Sequence, residues 1–260
     1  TREALEDDGG PLGVESLTIA NPNGWAGGTV IYPTAEGSYP TVTIIAGLGG
    51  VMQTMEWVAN ALAPWGFVAV ATECSPTSSM STDDRGKQMS AAFDQLLALN
   101  EDSSSPLFGK LNGRYGVAGH SLGGGGTFHA LINDSRVEAG MPMAPANIDS
   151  HDLSAITKPT FLIACSTDDL CSPASVEGYY GTMNQAEKLY VNMDSSTVSR
   201  GHLCVQTTEG AQLRPLQNLL ARAWFSYWLR DDDRFATFLC GDEAQADNSA
   251  VVGWQDTCEF

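Results

Sequence analysis

One serine of the sequence has neighbours that suit a nucleophile. Residues 119–126 read Gly-His-Ser-Leu-Gly-Gly-Gly-Gly, so the pattern Gly-x-Ser-x-Gly surrounds Ser121. Between a strand and a helix, this pattern places the serine on a tight, crowded turn with its hydroxyl exposed above a sheet. The pattern therefore predicts that Ser121 attacks an electrophilic carbon, provided that a base and an acid lie nearby.

The residues on either side of Ser121 predict the strand and the helix that such a turn needs. Residues 114–118 form a short, largely apolar segment, and residues 122–132 can form a helix that leaves the turn. Four consecutive glycines are poor helix formers, so they favour a helix that must press closely against the sheet beneath it. The alternative is a flexible glycine loop, but strand, serine and helix follow in the required order.

A serine hydroxyl needs a base, which is usually a histidine. With this turn, the chain order is nucleophile, then acid, then histidine. Only His202 follows every candidate acid strand, so we predict that it is the base. His120 is predicted to form a wall of the site and to contact substrate. His129 is predicted to be structural, and His151 precedes the expected acid, so its order is wrong.

The acid should follow a later strand. Residues 159–165 form an apolar strand, and Asp168 and Asp169 come shortly after it. The carboxyl ends of parallel strands are where such sheets place their active sites. Because successive side chains point in different directions, we expect only one of the two carboxylates to reach His202. These residues alone leave the choice open.

The oxyanion formed during acyl transfer needs two backbone N–H groups to stabilise it. We predict that one belongs to Leu122, next to the nucleophile, and the other to Leu48 in the glycine-rich loop at 46–50. Gly47 in this loop would let the backbone approach the substrate closely. A dinucleotide-binding loop is disfavoured, because Met52 breaks the pattern Gly-x-Gly-x-x-Gly.

Strands and helices alternate along most of the chain, which predicts one α/β domain over residues 1–260, with residues 1–13 as an N-terminal arm. We expect a mostly parallel central sheet with helices on both faces and no large lid. The predicted strands cover residues 15–20, 29–33, 41–46, 67–72, 114–118, 137–143, 160–165 and 188–193, and the predicted helices cover residues 51–64, 83–99, 122–132 and 208–230.

Composition argues against several classes of partner. The formal net charge is −18, which disfavours nucleic acids and anionic membranes. No apolar run approaches the ~20 residues that a membrane-spanning helix needs. The six cysteines include no Cys-x-x-Cys pair, which favours disulfides and therefore secretion, with buried free thiols as the alternative.

Several stretches of the chain resemble the bacterial cutinase and polyester hydrolase family, which includes the polyethylene terephthalate (PET) hydrolases and has the α/β-hydrolase fold. The most specific stretch is the four-glycine tail at 119–126, and residues 28–33, 104–110 and 233–241 are similar as well. The resemblance covers nearly the whole chain. It implies a secreted serine hydrolase of carboxylic esters that needs no metal and no organic cofactor.

The resemblance also implies which carboxylate is the acid. In the branch of the family with an extra active-site disulfide, Ala-Cys-x-x-Asp carries the acid and His-x-Cys carries the base. This chain has both patterns, the first ending at Asp168 and the second beginning at His202. The resemblance therefore implies Asp168 rather than Asp169, and it implies a disulfide between Cys165 and Cys204.

The resemblance implies a second disulfide near the C-terminus, between Cys240 and Cys258. Cys74 and Cys171 remain. Pairing these two would need long loop excursions across the sheet, since disulfides need Cα atoms within about 7 Å. A pairing of Cys171 with Cys204 is a competing arrangement, and the sequence leaves the matter open.

Some positions depart from the family pattern. Leu48 replaces a residue that is often aromatic, Leu122 replaces a usual methionine, and Ala146 stands where a tryptophan typically lines the cleft. Each lost aromatic contact removes about 0.5–1.5 kcal/mol of stacking energy. Together with Leu170, these leucines predict a groove for aliphatic acyl chains.

The sequence therefore predicts a secreted, monomeric serine ester hydrolase that cleaves polyesters through an acyl-enzyme, with PET among the candidate substrates. The alternative is a lipase or small-ester esterase with the same triad. A lid or a deep acyl pocket would favour that alternative, whereas a shallow open groove favours a polymer. An inactive hydrolase fold that serves as a binding module is more remote, because every member of the triad is present.

Overall fold

The computed structural model describes residues 1–76, 79–245 and 249–258. Nine strands within these ranges form one sheet. They are β1 Val14–Ala20, β2 Gly27–Pro33, β3 Tyr39–Ile45, β4 Val68–Thr72, β5 Leu111–His120, β6 Val137–Met143, β7 Thr160–Cys165, β8 Lys188–Met193 and β9 Val251–Asp256. Their spatial order is β1-β2-β4-β3-β5-β6-β7-β8-β9.

The sheet is mostly parallel, as predicted. Strands β3 to β8 all run in one direction, while β1, β2 and β9 extend the two edges by antiparallel pairing. Every residue of β4 and of β7 is buried, which is typical of parallel strands covered on both faces. The carboxyl ends of six strands therefore meet at one edge of the sheet.

Seven α-helices accompany the sheet within the described ranges. They are α1 Arg2–Glu6, α2 Glu56–Leu62, α3 Thr82–Glu101, α4 Leu122–Asn133, α5 Pro173–Thr182, α6 Arg214–Arg230 and α7 Gly241–Gln245. None of these helices combines the length and the apolar composition that crossing a membrane would require.

The helices cover both faces of the sheet. Gly116 of β5 pairs with Ala139 of β6, and a Cβ at Gly116 would lie 2.7 Å from the ring of Phe225 in α6. The next residue of β6, Gly140, points to the opposite face. A Cβ there would lie 2.7 Å from Leu131 of α4. Helices α4 and α6 therefore lie on opposite faces, which confirms the predicted layering.

The glycines that begin α4 allow close contact on more than one side. A Cβ at Gly123 would lie 2.3 Å from the carbonyl oxygen of Ile45 in β3. A Cβ at Gly126 would lie 2.5 Å from the Cβ of Arg85 in α3. The predicted close approach to the sheet is confirmed, and the same glycines also let α3 pack against α4.

The N-terminal arm contains a helix and packs on the rest of the protein. Arg222 of α6 donates from Nη1 to the carbonyl of Leu5 at 2.7 Å and from Nε to the carbonyl of Ala61 at 2.8 Å. Leu5 is buried. The buried guanidinium thus joins α1, α2 and α6.

Some element boundaries differ from the predictions. The helix predicted at 51–64 starts as a 3₁₀ turn at Met52–Thr54, and α2 begins at Glu56. The helix predicted at 208–230 begins at Arg214, because Pro215 suits a first helical turn but not a helix interior. Helix α5 and strand β9 were not predicted. Strand β9 is a partly exposed edge strand, so its residues lack an apolar pattern.

Candidate active site

Ser121 lies at the turn between β5 and α4, at the carboxyl edge of the parallel strands. Its φ of 57° and ψ of −118° are sparsely populated for a residue with a side chain, so the surroundings must hold them. Its N–H donates to the carbonyl of Met143 at 3.0 Å, and its carbonyl accepts from the N–H groups of Gly125 and Ala146 at 3.1 and 2.9 Å. The turn has the strained form that the sequence predicts.

His202 and Asp168 form a buried pair. His202 Nδ1 lies 2.7 Å from Oδ2 of Asp168, and the residues are 7% and 5% exposed. A carboxylate only accepts, so Nδ1 donates, which leaves Nε2 able to take a proton from a hydroxyl. Oδ1 of Asp168 accepts from the N–H groups of Leu170 and Cys171, both at 2.8 Å. Asp168, and not Asp169, therefore contacts the histidine.

The loops that carry this pair are fastened to each other. A disulfide joins Cys165, the last residue of β7, to Cys204, with Cα atoms 6.0 Å apart. A Cβ at Gly201 would lie 2.3 Å from the backbone of Thr167, so the two loops are in backbone contact. The acid and the histidine consequently have little freedom to separate.

Ser121 and His202 line the same cleft, which has a volume of about 390 Å³. Asp168 is buried and does not line it. The other predicted oxyanion and substrate-contacting residues all line it: Gly47, Leu48, His120, Leu122, Ala146 and Leu170. The sequence analysis did not predict a place in the cleft for the remaining lining residues, which are Gly50, Met80, Ile148, Cys171, Leu203 and Gln206.

A larger cleft, of about 590 Å³, lies between the N-terminal segment and α6. Its described lining residues include no serine, cysteine or histidine. Size alone therefore does not identify the reactive site, and we assign the chemistry to the smaller cleft.

The two backbone groups predicted to stabilise an oxyanion adjoin Ser121. Leu122 is the first residue of α4, and N–H groups in a first helical turn have no partner within their own helix. A Cβ at Gly47 would lie 2.7 Å from the Cβ of Ser121 and 3.3 Å from its Oγ. Leu48 follows Gly47, so its backbone also lies near the serine hydroxyl. This placement is compatible with the predicted oxyanion hole.

His120 contacts the histidine loop as well as the cleft. Its Nε2 lies 2.8 Å from the carbonyl oxygen of His202, and the two rings are 4.6 Å apart between centroids. The carbonyl accepts, so Nε2 carries the proton. Burial, together with the nearby His202, lowers the pKa of His120 to about 3, so its ring is neutral at neutral pH. No pattern in the sequence predicts this hydrogen bond, because 82 residues separate its partners.

Cys74 and Cys171 are free thiols, while Cys240 and Cys258 form the second implied disulfide. Neither a Cys74–Cys171 pair nor a Cys171–Cys204 pair is present among the described cysteines. Burial first, and then the charge of Asp168, raises the pKa of Cys171 to about 12. This thiol stays protonated at neutral pH and is a poor nucleophile.

Exposed apolar side chains surround the mouth of the cleft. We call this set the apolar rim; its members are Leu48, Met80, Ile148 and Leu170, which are 51%, 52%, 53% and 75% exposed. Apart from the imidazoles of His120 and His202, the described lining residues carry no aromatic ring. Several exposed apolar side chains that line one cleft are typical of a binding site.

Comparison with known proteins assigns the chain to a family. The model of the PET hydrolase-like family matches residues 1–259. The cutinase est1 of Thermobifida alba is 27% identical over 265 residues, covering 100% of this chain and 85% of the cutinase. A bis(hydroxyethyl) terephthalate hydrolase of Streptomyces coelicolor is 28% identical over 247 residues, covering 92% of this chain and 74% of that enzyme. A cutinase of Thermobifida fusca is 26% identical over 264 residues.

Proposed function

The chain belongs to the PET hydrolase-like family of α/β-hydrolases, and on that premise we propose that it is a secreted serine esterase that cleaves polyesters. Its relatives are named cutinases and a terephthalate ester hydrolase, so it is a carboxylic-ester hydrolase. The observation that carries the proposal is the cleft in which a strained Ser121 lies with a histidine that a buried carboxylate orients.

In the proposed reaction, Ser121 Oγ attacks the ester carbonyl while Nε2 of His202 takes the hydroxyl proton. The backbone N–H groups of Leu48 and Leu122 donate to the oxyanion of the tetrahedral intermediate. The intermediate collapses to an acyl-enzyme, and His202 returns the proton to the departing alcohol. Water then attacks the acyl-enzyme with the same general-base help, which releases the acid and regenerates Ser121.

Asp168 acts in this scheme by holding His202 in the productive tautomer. Its Oδ2 accepts the hydrogen bond that Nδ1–H donates, and its negative charge stabilises the imidazolium that forms when Ser121 is deprotonated. Two backbone N–H groups fix its other oxygen, so the carboxylate cannot rotate away from the histidine. The scheme uses no metal and no organic cofactor.

Secretion and a polymeric substrate are parts of the proposal with separate support. Two disulfides favour an oxidising compartment. The apolar rim at the cleft mouth suits an extended, water-insoluble chain better than a small ester that enters a deep pocket. The aliphatic character of the rim favours aliphatic polyesters over aromatic ones, because it lacks rings that could stack on a terephthalate. We propose that the enzyme acts as a monomer.

A fluorophosphonate probe tests the nucleophile. The wild-type protein should be labelled once, and Ser121→Ala should remain unlabelled, whereas Ser104→Ala, at an exposed serine, should be labelled like the wild type. Persistent labelling of Ser121→Ala would show that another residue is the nucleophile. Absence of labelling in the wild type would favour the inactive binding module.

A comparison of substrates tests the proposal that the enzyme cleaves a polymer. Rates should be measured on p-nitrophenyl butyrate and palmitate, on a film of an aliphatic polyester and on a PET film. We expect release of soluble acid from both films, with the faster release from the aliphatic one. Turnover of the soluble esters without release from either film would favour the small-ester esterase instead.

A further inference from the structure

Two histidines and an aspartate meet outside the cleft. Asp83 lies in the first turn of α3, His129 lies on α4, and His151 follows β6 in the chain. His129 Nδ1 is 3.0 Å from Oδ1 of Asp83, and His151 Nε2 is 3.7 Å from the same oxygen. One ligand atom from each of the three residues lies within 4.8 Å of the other two. None of the three residues lines the cleft that holds Ser121.

The geometry points to a binding site for a zinc ion, and we propose that Asp83, His129 and His151 coordinate Zn²⁺ there. Zinc takes nitrogen and carboxylate ligands at about 2.0–2.2 Å, so two of its tetrahedral ligand atoms lie about 3.4 Å apart. The two measured separations, 3.0 and 3.7 Å, lie on either side of that value. Small side-chain movements would therefore complete the site, with water in the fourth position.

The donor set selects among metals. Two imidazoles suit zinc and other late first-row transition metals, whereas calcium and magnesium prefer sites built from oxygen alone. Each imidazole binds zinc through a nitrogen without a proton, so His129 and His151 must take the tautomers that leave Nδ1 and Nε2 free.

Neighbouring groups hold the ligands in place. The amide of Asn147 fixes His151 by accepting from its N–H at 2.9 Å and donating to its carbonyl at 3.1 Å. Asn133 Nδ2 donates to the carbonyl of His129 at 3.0 Å. Such outer contacts orient the ligands of metal sites.

Asp149 adds both order and charge beside the site. Its Oδ2 accepts from the N–H of Asp83 at 2.9 Å and from the hydroxyls of Ser81 and Thr82, both at 3.0 Å. Thr82 Oγ1 also lies 2.9 Å from Nε2 of His151. The carboxylates of Asp83 and Asp149 give this corner a negative charge that favours a cation.

The site would link the cleft to two helices. Ala146 and Ile148 line the cleft and belong to the same loop as His151. A zinc ion on His151, His129 and Asp83 would therefore cross-link that loop to α3 and α4. Its role is to stabilise one wall of the cleft, not to take part in ester hydrolysis.

Zinc titration of the chelator-treated protein tests the site. Calorimetry should show one zinc per chain for the wild type, and zinc at about 100 times its Kd should raise Tm by about 5–10 °C. His129→Gln and His151→Gln should each weaken binding at least about tenfold, as expected for the loss of one ligand. In the presence of EDTA both variants should keep a Tm close to that of the wild type, which would show that they fold.

A second cluster provides the internal control, because Asp168, Cys171 and His202 also lie within 4.8 Å of one another. Cys171→Ala should bind zinc at the proposed site as tightly as the wild type does. Unchanged zinc uptake in both histidine variants would overturn the proposal, as would uptake that only Cys171→Ala abolishes. An absence of zinc binding by the wild type would overturn it as well. None of these readouts depends on esterase activity.

Discussion

The side of the cleft that carries His202 differs from the apolar rim in the number of contacts that hold its residues. His202 and Asp168 are buried, and a disulfide, a backbone contact at Gly201 and two N–H groups constrain them. The rim consists of half-exposed side chains at the cleft mouth. Proton transfer needs fixed distances, whereas the binding of a flexible chain needs mainly apolar area. Substitutions around His202 and Asp168 should therefore change activity strongly, whereas substitutions in the apolar rim should change it little.

The largest expected loss of activity comes from replacing the carboxylate of Asp168. Asp168→Asn should lower kcat on p-nitrophenyl butyrate by about 10⁴-fold, because an amide no longer holds His202 in the productive tautomer. Asp169→Asn should stay within about twofold of the wild type, since only Asp168 contacts the histidine. Similar losses in both variants would show that the buried pair is not the catalytic one.

The next largest expected effect is the loss of stability when the disulfide that joins the two loops is removed. The residues of the Cys165–Cys204 disulfide are 39 apart in the sequence, so its removal by a double change to alanine should cost about 4 kcal/mol of unfolding free energy. Removing the Cys240–Cys258 disulfide, with a separation of 18, should cost about 3 kcal/mol. Denaturant titration measures both values.

Activity separates the two disulfides more sharply than stability does. Below the unfolding transition, loss of Cys165–Cys204 should lower kcat, because it frees the loops of the acid and the histidine. Loss of Cys240–Cys258 should leave kcat unchanged, because neither cysteine is among the residues that line the cleft. Equal kcat values in the two variants would mean that the other contacts between the loops suffice.

A third prediction concerns acid stability. His120 stays neutral in the folded protein down to about pH 3, while in the unfolded chain it takes up a proton near pH 6.5. Between these values the unfolded state binds one more proton, so stability falls with falling pH by about 1.4 kcal/mol per pH unit from this group. His120→Gln should remove that slope in denaturant titrations at pH 4, 5 and 6. Parallel pH profiles for the two proteins would contradict the buried neutral imidazole.

A fourth prediction concerns the hydrogen bond from His120 to the backbone of His202. His120→Leu should lower kcat by about tenfold with KM nearly unchanged, because the bond positions the base without binding substrate. His120→Gln keeps a donor and should recover most of the loss. A change in KM alone would indicate a role confined to the wall of the cleft.

The smallest expected effect lies in the apolar rim. Leu170→Ala should change kcat/KM on p-nitrophenyl butyrate by less than about twofold, but it should weaken adsorption to an aliphatic polyester film by about threefold through lost apolar contact. Val252→Ala, at an exposed valine on β9, serves as the matched control and should adsorb like the wild type. Equal adsorption of all three proteins would mean that the film does not contact the rim.

Much of the fold was predictable because the signals are local. A buried parallel strand such as β4 is an unbroken apolar run, and the turn at Ser121 has a short pattern of its own. Strand β9 was missed, since it lies at an edge, is partly exposed, has Gly253 in its interior and ends in the polar residues Gln255 and Asp256. The start of α6 was placed too early, although Pro215 marks a first helical turn.

The sequence by itself determined which residues are candidates for the reaction and their order in the chain. The Gly-x-Ser-x-Gly pattern nominated Ser121, and the single histidine after the acid strand nominated His202. The residues alone left Asp168 and Asp169 open, and the resemblance to the polyester hydrolase family implied Asp168. Such features can be recognised in a sequence because a crowded turn requires small residues and proton transfer from serine requires a histidine and a carboxylate.

Only the tertiary structure decided which distant groups meet. It brought His120 to the backbone of His202, gathered Met80 and Ile148 into the apolar rim, left Cys74 and Cys171 as free thiols, and placed His129 and His151 beside Asp83. These contacts depend on the order of strands in the sheet and on the packing of α3 against α4. The chain must therefore fold before residues so far apart in sequence can share hydrogen bonds or a metal ion.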